Sequence, residues 1–394
     1  MSMPKFKLKR REVKAFLLLF PFVEVHVINT GHVYHVAVLL ASVYVVYLIA
    51  SKKLILRKKY IPLIAYTIWL MLSCYINNLS MIPGLYYGVK LFAFTQVVEY
   101  YIQKQEFVFF SVTQKYIAFC MVMTTVFQFL NQDLFGHIEL SGNYNNFAFG
   151  DNMLGNYYIP FIAICIVMDR MRNREISLKT WIMIAIATIS LIRAWSASSV
   201  VGIAIIIVYV LFVYGKKISK IFNPFFVVVT YVVAEVGLVV FNIQNRFSYL
   251  IETFLHKNVT LTGRIGIWYN AINNIYNSPV YGHGVTKGGN IKLSTTFVGT
   301  RTLGAHNIIL EVLMQVGYVG LVLWLTFIFA SIFLKKKEIK SDEDSYYMLL
   351  FFAYVVMIMQ LALGNVYVVF CYFPIILCAN VNHLFDKKWN YIKK

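Results

Sequence analysis

Long apolar runs alternate with short charged or turn-rich breaks along almost the whole chain. The runs fall at about 13–30, 33–50, 61–78, 82–102, 107–130, 153–169, 180–195, 197–214, 223–243, 307–333, 346–363 and 366–385. A membrane-crossing helix needs roughly 20 apolar residues, so the pattern predicts an all-α, polytopic membrane protein with about twelve transmembrane helices. The expected organisation is nine spans over 1–243, one large extracytoplasmic loop over 244–306, and three spans with a cytoplasmic tail over 307–394. The first run follows a basic stretch, as in a signal peptide, but Pro21 interrupts it and no small-residue cleavage site follows, so it reads as an uncleaved span.

Composition supports this and redirects the meaning of the charge. Of the 394 residues 59% are hydrophobic and only 13% charged, which excludes an ordinary soluble domain. A net charge of +19 would suggest nucleic acid in a soluble protein, but here the 36 basic residues sit mostly in short clusters between runs. With both termini cytoplasmic, the inside segments hold 28 of the 36, and Lys90 and Arg193 lie in spans. The other six, Arg246, Lys257, Arg264, Lys287, Lys292 and Arg301, all lie in 244–306. The bias is what positive-inside sorting leaves, and nucleic acid is not expected as a partner. All five cysteines, Cys74, Cys120, Cys165, Cys371 and Cys378, fall within apolar runs without metal-ligand or paired spacing and read as packing residues.

Two outside segments are too long to be turns: a polar one near 131–152, with Asn143, Asn145 and Asn146, and the loop 244–306. Connections of that length are usually functional. Within 262–278 the residues Ile265, Trp268, Ile272, Ile275 and Tyr276 recur at helical spacing, predicting an amphipathic helix at the membrane surface that ends at Asn277-Ser278-Pro279. Thr262 as its N-cap puts Arg264 in the first turn, where a cation faces the positive end of the helix dipole at a cost of about 0.3–1 kcal/mol. Either a bound anion relieves that cost, or the guanidinium extends into solvent at the interface.

After this helix come Tyr281-Gly282-His283-Gly284-Val285, Lys287-Gly288-Gly289 and Arg301-Thr302-Leu303-Gly304-Ala305-His306-Asn307, where the tenth run opens. A Gly-rich loop bearing lysine can cradle phosphate oxygens. Asn307 suits a helix N-cap, and Glu311 lies one turn beyond it on the same face. A carboxylate inside a membrane helix is costly unless paired or hydrated, which makes Glu311 a site candidate and Arg193 another, against the alternative of an arginine snorkelling at the end of its span. Glu24, His26, Lys90, Asp169 with Arg170, and His283 are lesser candidates.

The ordered set Thr262-Gly263-Arg264 with Trp268, Pro279-Val280-Tyr281-Gly282-His283-Gly284, His306-Asn307 with Leu310-Glu311, and Gly317-Tyr318-Val319-Gly320-Leu321 resembles the O-antigen ligase and Wzy-type polysaccharide polymerase superfamily. Upstream, the Gly/Asn-rich stretch from Ser141 to Asn156 and Ser196-Ala197-Ser198-Ser199 are similar to further elements of that family, so the resemblance covers about 140–325. The departure is at the Ser-rich element, where the family commonly carries an arginine; the nearest here is Arg193, six residues before Ser199. The resemblance implies a membrane glycosyltransferase acting on undecaprenyl-diphosphate-linked sugars, with neither metal nor other cofactor. Its functional arginine and histidine correspond to Arg264 and His306.

On that basis the catalytic candidates are His306 and Arg264, and the substrate-binding candidates are Arg193, Arg301, Asn307 and Glu311. Arginine matches phosphate oxygens bidentately, and histidine titrates in the range a proton acceptor needs. The expected activity is polymerisation of lipid-linked repeat units on the outer face of a bacterial cytoplasmic membrane. The expected partners are the bilayer, a chain-length regulator and a flippase. The alternatives are an O-antigen ligase, which needs a lipid A acceptor, a flippase for the same lipid-linked sugar, and a non-catalytic scaffold.

Overall fold

A computed structural model describes residues 9–23, 25, 32–130, 147–148, 153–173, 175–194, 196–214, 216, 218, 221–249, 253, 264–286, 304–330, 341–359 and 368–384. Helices and their connections account for all of these, and no strand occurs among the described residues. The helices are α1 (Arg10–Leu19), α2 (His32–Ala50), α3 (Ile61–Ile76), α4 (Met81–Gln103), α5 (Val108–Phe129), α6 (Leu154–Asn173), α7 (Leu178–Arg193), α8 (Ala197–Phe212), α9 (Pro224–Val239), α10 (Arg264–Asn277), α11 (Ile308–Leu325), α12 (Ser341–Ile358), α13 (Phe373–Cys378) and α14 (Val381–Leu384).

Several boundaries follow from local chemistry. Ser80, Ser177, Asn223 and Asn307 cap α4, α7, α9 and α11, each side chain accepting a first-turn backbone N–H that would otherwise lack a partner. Pro21 closes α1 into a short 3₁₀ turn over Phe20–Phe22. The last apolar run is not one span-length helix. It divides into a 3₁₀ turn at Val369–Tyr372 followed by α13 and α14, with Pro374 at the start of α13.

Four helical segments, His32–Ala50, Lys58–Ile76, Val108–Phe129 and Ile308–Phe329, are long and apolar enough to cross a membrane. Their outward faces agree with that. On α2, Val36, Leu39, Leu40, Val43 and Val46 are exposed while Val38, Ala41, Val45 and Leu48 are buried. An apolar stripe pointing outward along a helix of span length is what a surrounding of lipid accommodates. The protein is thus an integral membrane protein.

The interior is organised around helices apolar on every side, the pattern of a helix surrounded by others. From Tyr347 to Ile358, α12 is buried except at Phe352, and it packs on α6, α8, α9 and α13. A second assembly joins α3 to both α4 and α11, and α10 lies against α11. All five cysteines are free and buried, as packing residues would be.

Candidate active site

Helix α10 begins at Arg264, and its buried residues Trp268, Ala271 and Ile275 follow at i+4, i+7 and i+11. That face closes a small apolar cluster with Ala305, Leu310 and Met314, against which Leu238 and Val239 of α9 also pack. The helix expected to rest its apolar face on the membrane surface therefore turns it toward α9 and α11. Tyr276, expected on that face, is 74% exposed, as is Tyr269 at 67%. The difference arises because Ala271 and Ile275 define the buried side, and Tyr276 lies a further 100° around the helix. Arg264 shares the side of Trp268, and burial lowers its pKa while leaving a guanidinium charged at any physiological pH. Among the described residues it has neither an ion pair nor a hydrogen bond. Thr262 and Gly263 lie outside the described residues.

The turn Ala305-His306-Asn307 enters α11. His306 has φ 49°, the left-handed region that costs a non-glycine residue roughly 1–2 kcal/mol. The residues on either side of it are held. The backbone N–H of Ala305 donates to Glu311 Oε2, and Glu311 Oε1 accepts from the Gln315 amide at 2.7 Å. Asn307 Oδ1 accepts the Leu310 N–H at 3.0 Å, capping the helix, and its Nδ2 donates to Glu235 Oε1 on α9. His306 Nδ1 is buried without a partner among the described residues. Burial is the main cause that lowers the His306 pKa, and the Arg264 guanidinium lowers it further, so the ring is neutral at pH 7.

Below this turn α11 is broken. Gly317 has φ 63° and ψ −168°, conformations closed to most residues, and a Cβ there would meet Val280 O at 2.3 Å. The break frees carbonyls that a straight helix would satisfy internally. His283 N–H donates to Met314 O at 2.7 Å, and Gly284 N–H to Gln315 O at 2.9 Å. From α3, Ser73 Oγ donates to Gln315 O at 2.8 Å and Trp69 Nε1 to Val316 O at 2.8 Å. In return Tyr318 N–H donates to Pro279 O at 2.8 Å. Gly282, φ 67°, lets this loop lie on the helix, since a Cβ would come within 2.4 Å of the Gln315 carbonyl carbon. The Pro279–Gly284 segment is therefore sewn into α11, and the His283 ring is taken up by Asn274 O in the last turn of α10 at 2.8 Å.

The structure brings Arg264, His306, Asn307 and Glu311 to one place, the junction of α9, α10 and the start of α11. Arg193 is exposed at the end of α7, where its Nε donates to Gln128 O at 3.2 Å and its guanidinium lies over Phe129, so these contacts face α5. Arg301, Glu24, His26, Lys287 and the Asn-rich stretch 143–146 lie outside the described residues. Asp169 is tied to Ser177 and Thr180 at the start of α7, a local cap. Lys90 is buried in α4. Among the described residues no group of three or more His, Cys, Asp and Glu side chains is arranged to hold a metal ion. The residue missed from the sequence is Glu235. It is the one acidic residue in the run 223–243, and that position in an apolar span was the signal that could have drawn attention to it.

A half-buried guanidinium that has no protein anion among the described residues, beside a neutral imidazole, can bind an anionic oxygen while the imidazole takes up a proton. No curated protein matches the chain. A family model described as O-antigen ligase, Wzy_C, matches residues 182–325, which run from α7 through the broken α11 and enclose every element of the junction. Residues 182–325 are therefore similar to a Wzy_C, or O-antigen ligase, domain, in keeping with the superfamily that the motifs of the chain resemble.

Proposed function

We propose that this membrane enzyme polymerises oligosaccharide repeat units carried on undecaprenyl diphosphate, on the outer face of a bacterial cytoplasmic membrane, with both its termini in the cytoplasm. The observation that carries the reading is the meeting of Arg264 and His306 in a buried junction where Arg264 has no protein counter-charge among the described residues. Transfer from a lipid diphosphate develops negative charge on the leaving phosphate, and a desolvated guanidinium stabilises that charge most in the transition state. His306, held neutral, takes the proton of the attacking sugar hydroxyl as the new glycosidic bond forms and the bond to the phosphate breaks with inversion. Asn307 and Glu311 hold the turn that presents the ring, and Arg301 supplies further positive charge for the lipid diphosphate. A chain-length regulator and a flippase are the partners such a polymerase works with.

The description of the matching family also fits a ligase, which would use the same donor chemistry with a lipid A acceptor. Liposomes containing the purified protein and an undecaprenyl-diphosphate-linked repeat unit separate the readings. A ladder of products, lost in Arg264→Ala, supports the polymerase. Transfer only when a lipid A acceptor is added makes it a ligase. Movement of the intact lipid-linked unit across the bilayer without new glycosidic bonds makes it a flippase.

A further inference from the structure

We infer that Glu235 is a positioning residue for His306, acting through Asn307 from a helix that otherwise reads as a plain apolar span. The inference rests on the reading of His306 given above. Over Pro224–Val239, Glu235 is the sole ionisable carboxylate among apolar neighbours, a costly placement in a membrane unless the group is used. Its Oε1 accepts the Nδ2–H of Asn307. The orientation of that amide is dictated by its other end, because Asn307 Oδ1 is committed to capping Leu310 N–H, which leaves Nδ2 to face α9.

His306 stands between two residues that carboxylates hold from two helices. Glu311 of α11 fixes Ala305 through its backbone N–H, and Glu235 of α9 fixes Asn307 through its side chain. A left-handed residue that is not glycine persists only when its surroundings over-determine it. Here the over-determination comes from both sides, and the ring that results has a buried Nδ1 with no partner among the described residues. The apolar cluster of Trp268, Leu310 and Met314, with Leu238 and Val239 packed on it, joins α9 to α10 and α11 just beyond Glu235, so a shift of α9 is passed to the turn through this hydrogen bond.

The test uses the full-length protein in liposomes with the lipid-linked repeat unit, comparing wild type, Glu235→Leu, Glu235→Gln and Arg264→Ala. Leucine removes the acceptor at similar volume and suits a span, whereas glutamine keeps a carbonyl oxygen that accepts the same bond. The expected result is a 10- to 100-fold lower kcat in Glu235→Leu with KM for the lipid-linked unit within about threefold, and recovery of most of that kcat in Glu235→Gln. Wild-type kcat in Glu235→Leu, with Arg264→Ala inactive, overturns the inference and leaves the proposed function standing. Equal losses in the leucine and glutamine variants overturn it too, because the carboxylate charge would then matter and not the bond. Full activity of Arg264→Ala removes the proposed function itself. If Glu235→Leu fails to fold, Asn307→Asp keeps the cap but sets carboxylate against carboxylate; the same loss of kcat is expected there, and wild-type kcat overturns the inference.

Discussion

Two buried carboxylate clusters sit toward opposite ends of α3, a helix about 24 Å long at 1.5 Å per residue. At its start, Glu99 of α4 is wholly buried and fully matched. Arg57 Nε lies 2.9 Å and Lys59 Nζ 3.3 Å from its oxygens, and Tyr60 Oη, Gln103 and Asn380 all donate to it. Asn380 Oδ1 in turn accepts from Lys59 and Arg57, so both Glu99 oxygens and this amide oxygen each have at least two donors. The junction near the other end of α3 is built from similar residue types, but Arg264 has no counter-charge and His306 Nδ1 no partner among the described residues. A saturated buried network rigidifies a fold, and an unsaturated one keeps capacity for something else. The first cluster binds distant parts of the chain together, and the second is the one to which the proposed function assigns a substrate oxygen.

Four experiments tell the two clusters apart. Replacing Glu99 with alanine leaves Arg57 and Lys59 facing an empty acceptor. Breaking a buried pair costs about 3–5 kcal/mol, toward the lower end here because Arg57 remains about a quarter exposed. The thermal midpoint in detergent should fall markedly, while transfer activity per folded molecule stays at the wild-type level. Arg264→Ala should do the reverse, cutting transfer by about 10²–10³-fold, the cost of losing one donor to a developing anion, with little change in thermal midpoint. Equal loss of stability in both variants would erase the distinction between lock and site.

Gly317→Ala should destabilise the protein by about 1–3 kcal/mol, because both φ 63° and the 2.3 Å approach to Val280 O exclude a Cβ. Proteolysis of the loop should report it as faster cleavage near Pro279–Gly284. The smallest effect is in pH. Burial and Arg264 hold the His306 pKa below its ordinary 6.5, so the neutral ring that the proposed mechanism requires is present above that value and lost as pH falls through the lowered one. The unfolded chain takes up that proton first, so stability declines in the same direction. A pH–rate profile of kcat should be flat from pH 8 to about 6.5 and fall only further down, by up to tenfold per unit.

Much of this architecture was legible as hydropathy. The runs 33–50 and 180–195 became His32–Ala50 and Leu178–Arg193, because burying backbone polar groups in apolar surroundings leaves the chain few options but helix. Arg264, His306, Asn307 and Glu311 stood out because charge and polarity are conspicuous beside apolar runs. What the pattern could not carry were features of φ and of distance. Gly317 lies within an apolar run, and its break in the helix goes with the close approach of Val280, a contact between segments that the run does not show. Glu99 and Asn380 are separated by 281 positions, and their bond exists only once α3, α4 and the end of the chain are assembled. Tyr276 was assigned to the wrong face because an aromatic residue at helical spacing counts as apolar whichever way the helix turns.

The broken α11 also bears on how the protein is made. Unpaired carbonyls in hydrocarbon cost several kcal/mol each, and those of Met314, Gln315 and Val316 find their donors on α3 and on the loop after α10. Alone in the bilayer, this span has reason to stay straight. Its bend is thus conditional on segments synthesised earlier, some of them more than 240 residues before it. Insertion of the span and assembly of the proposed site are then a single step, and an insertion intermediate that has not gathered α3 and the loop is an intact membrane helix without that site.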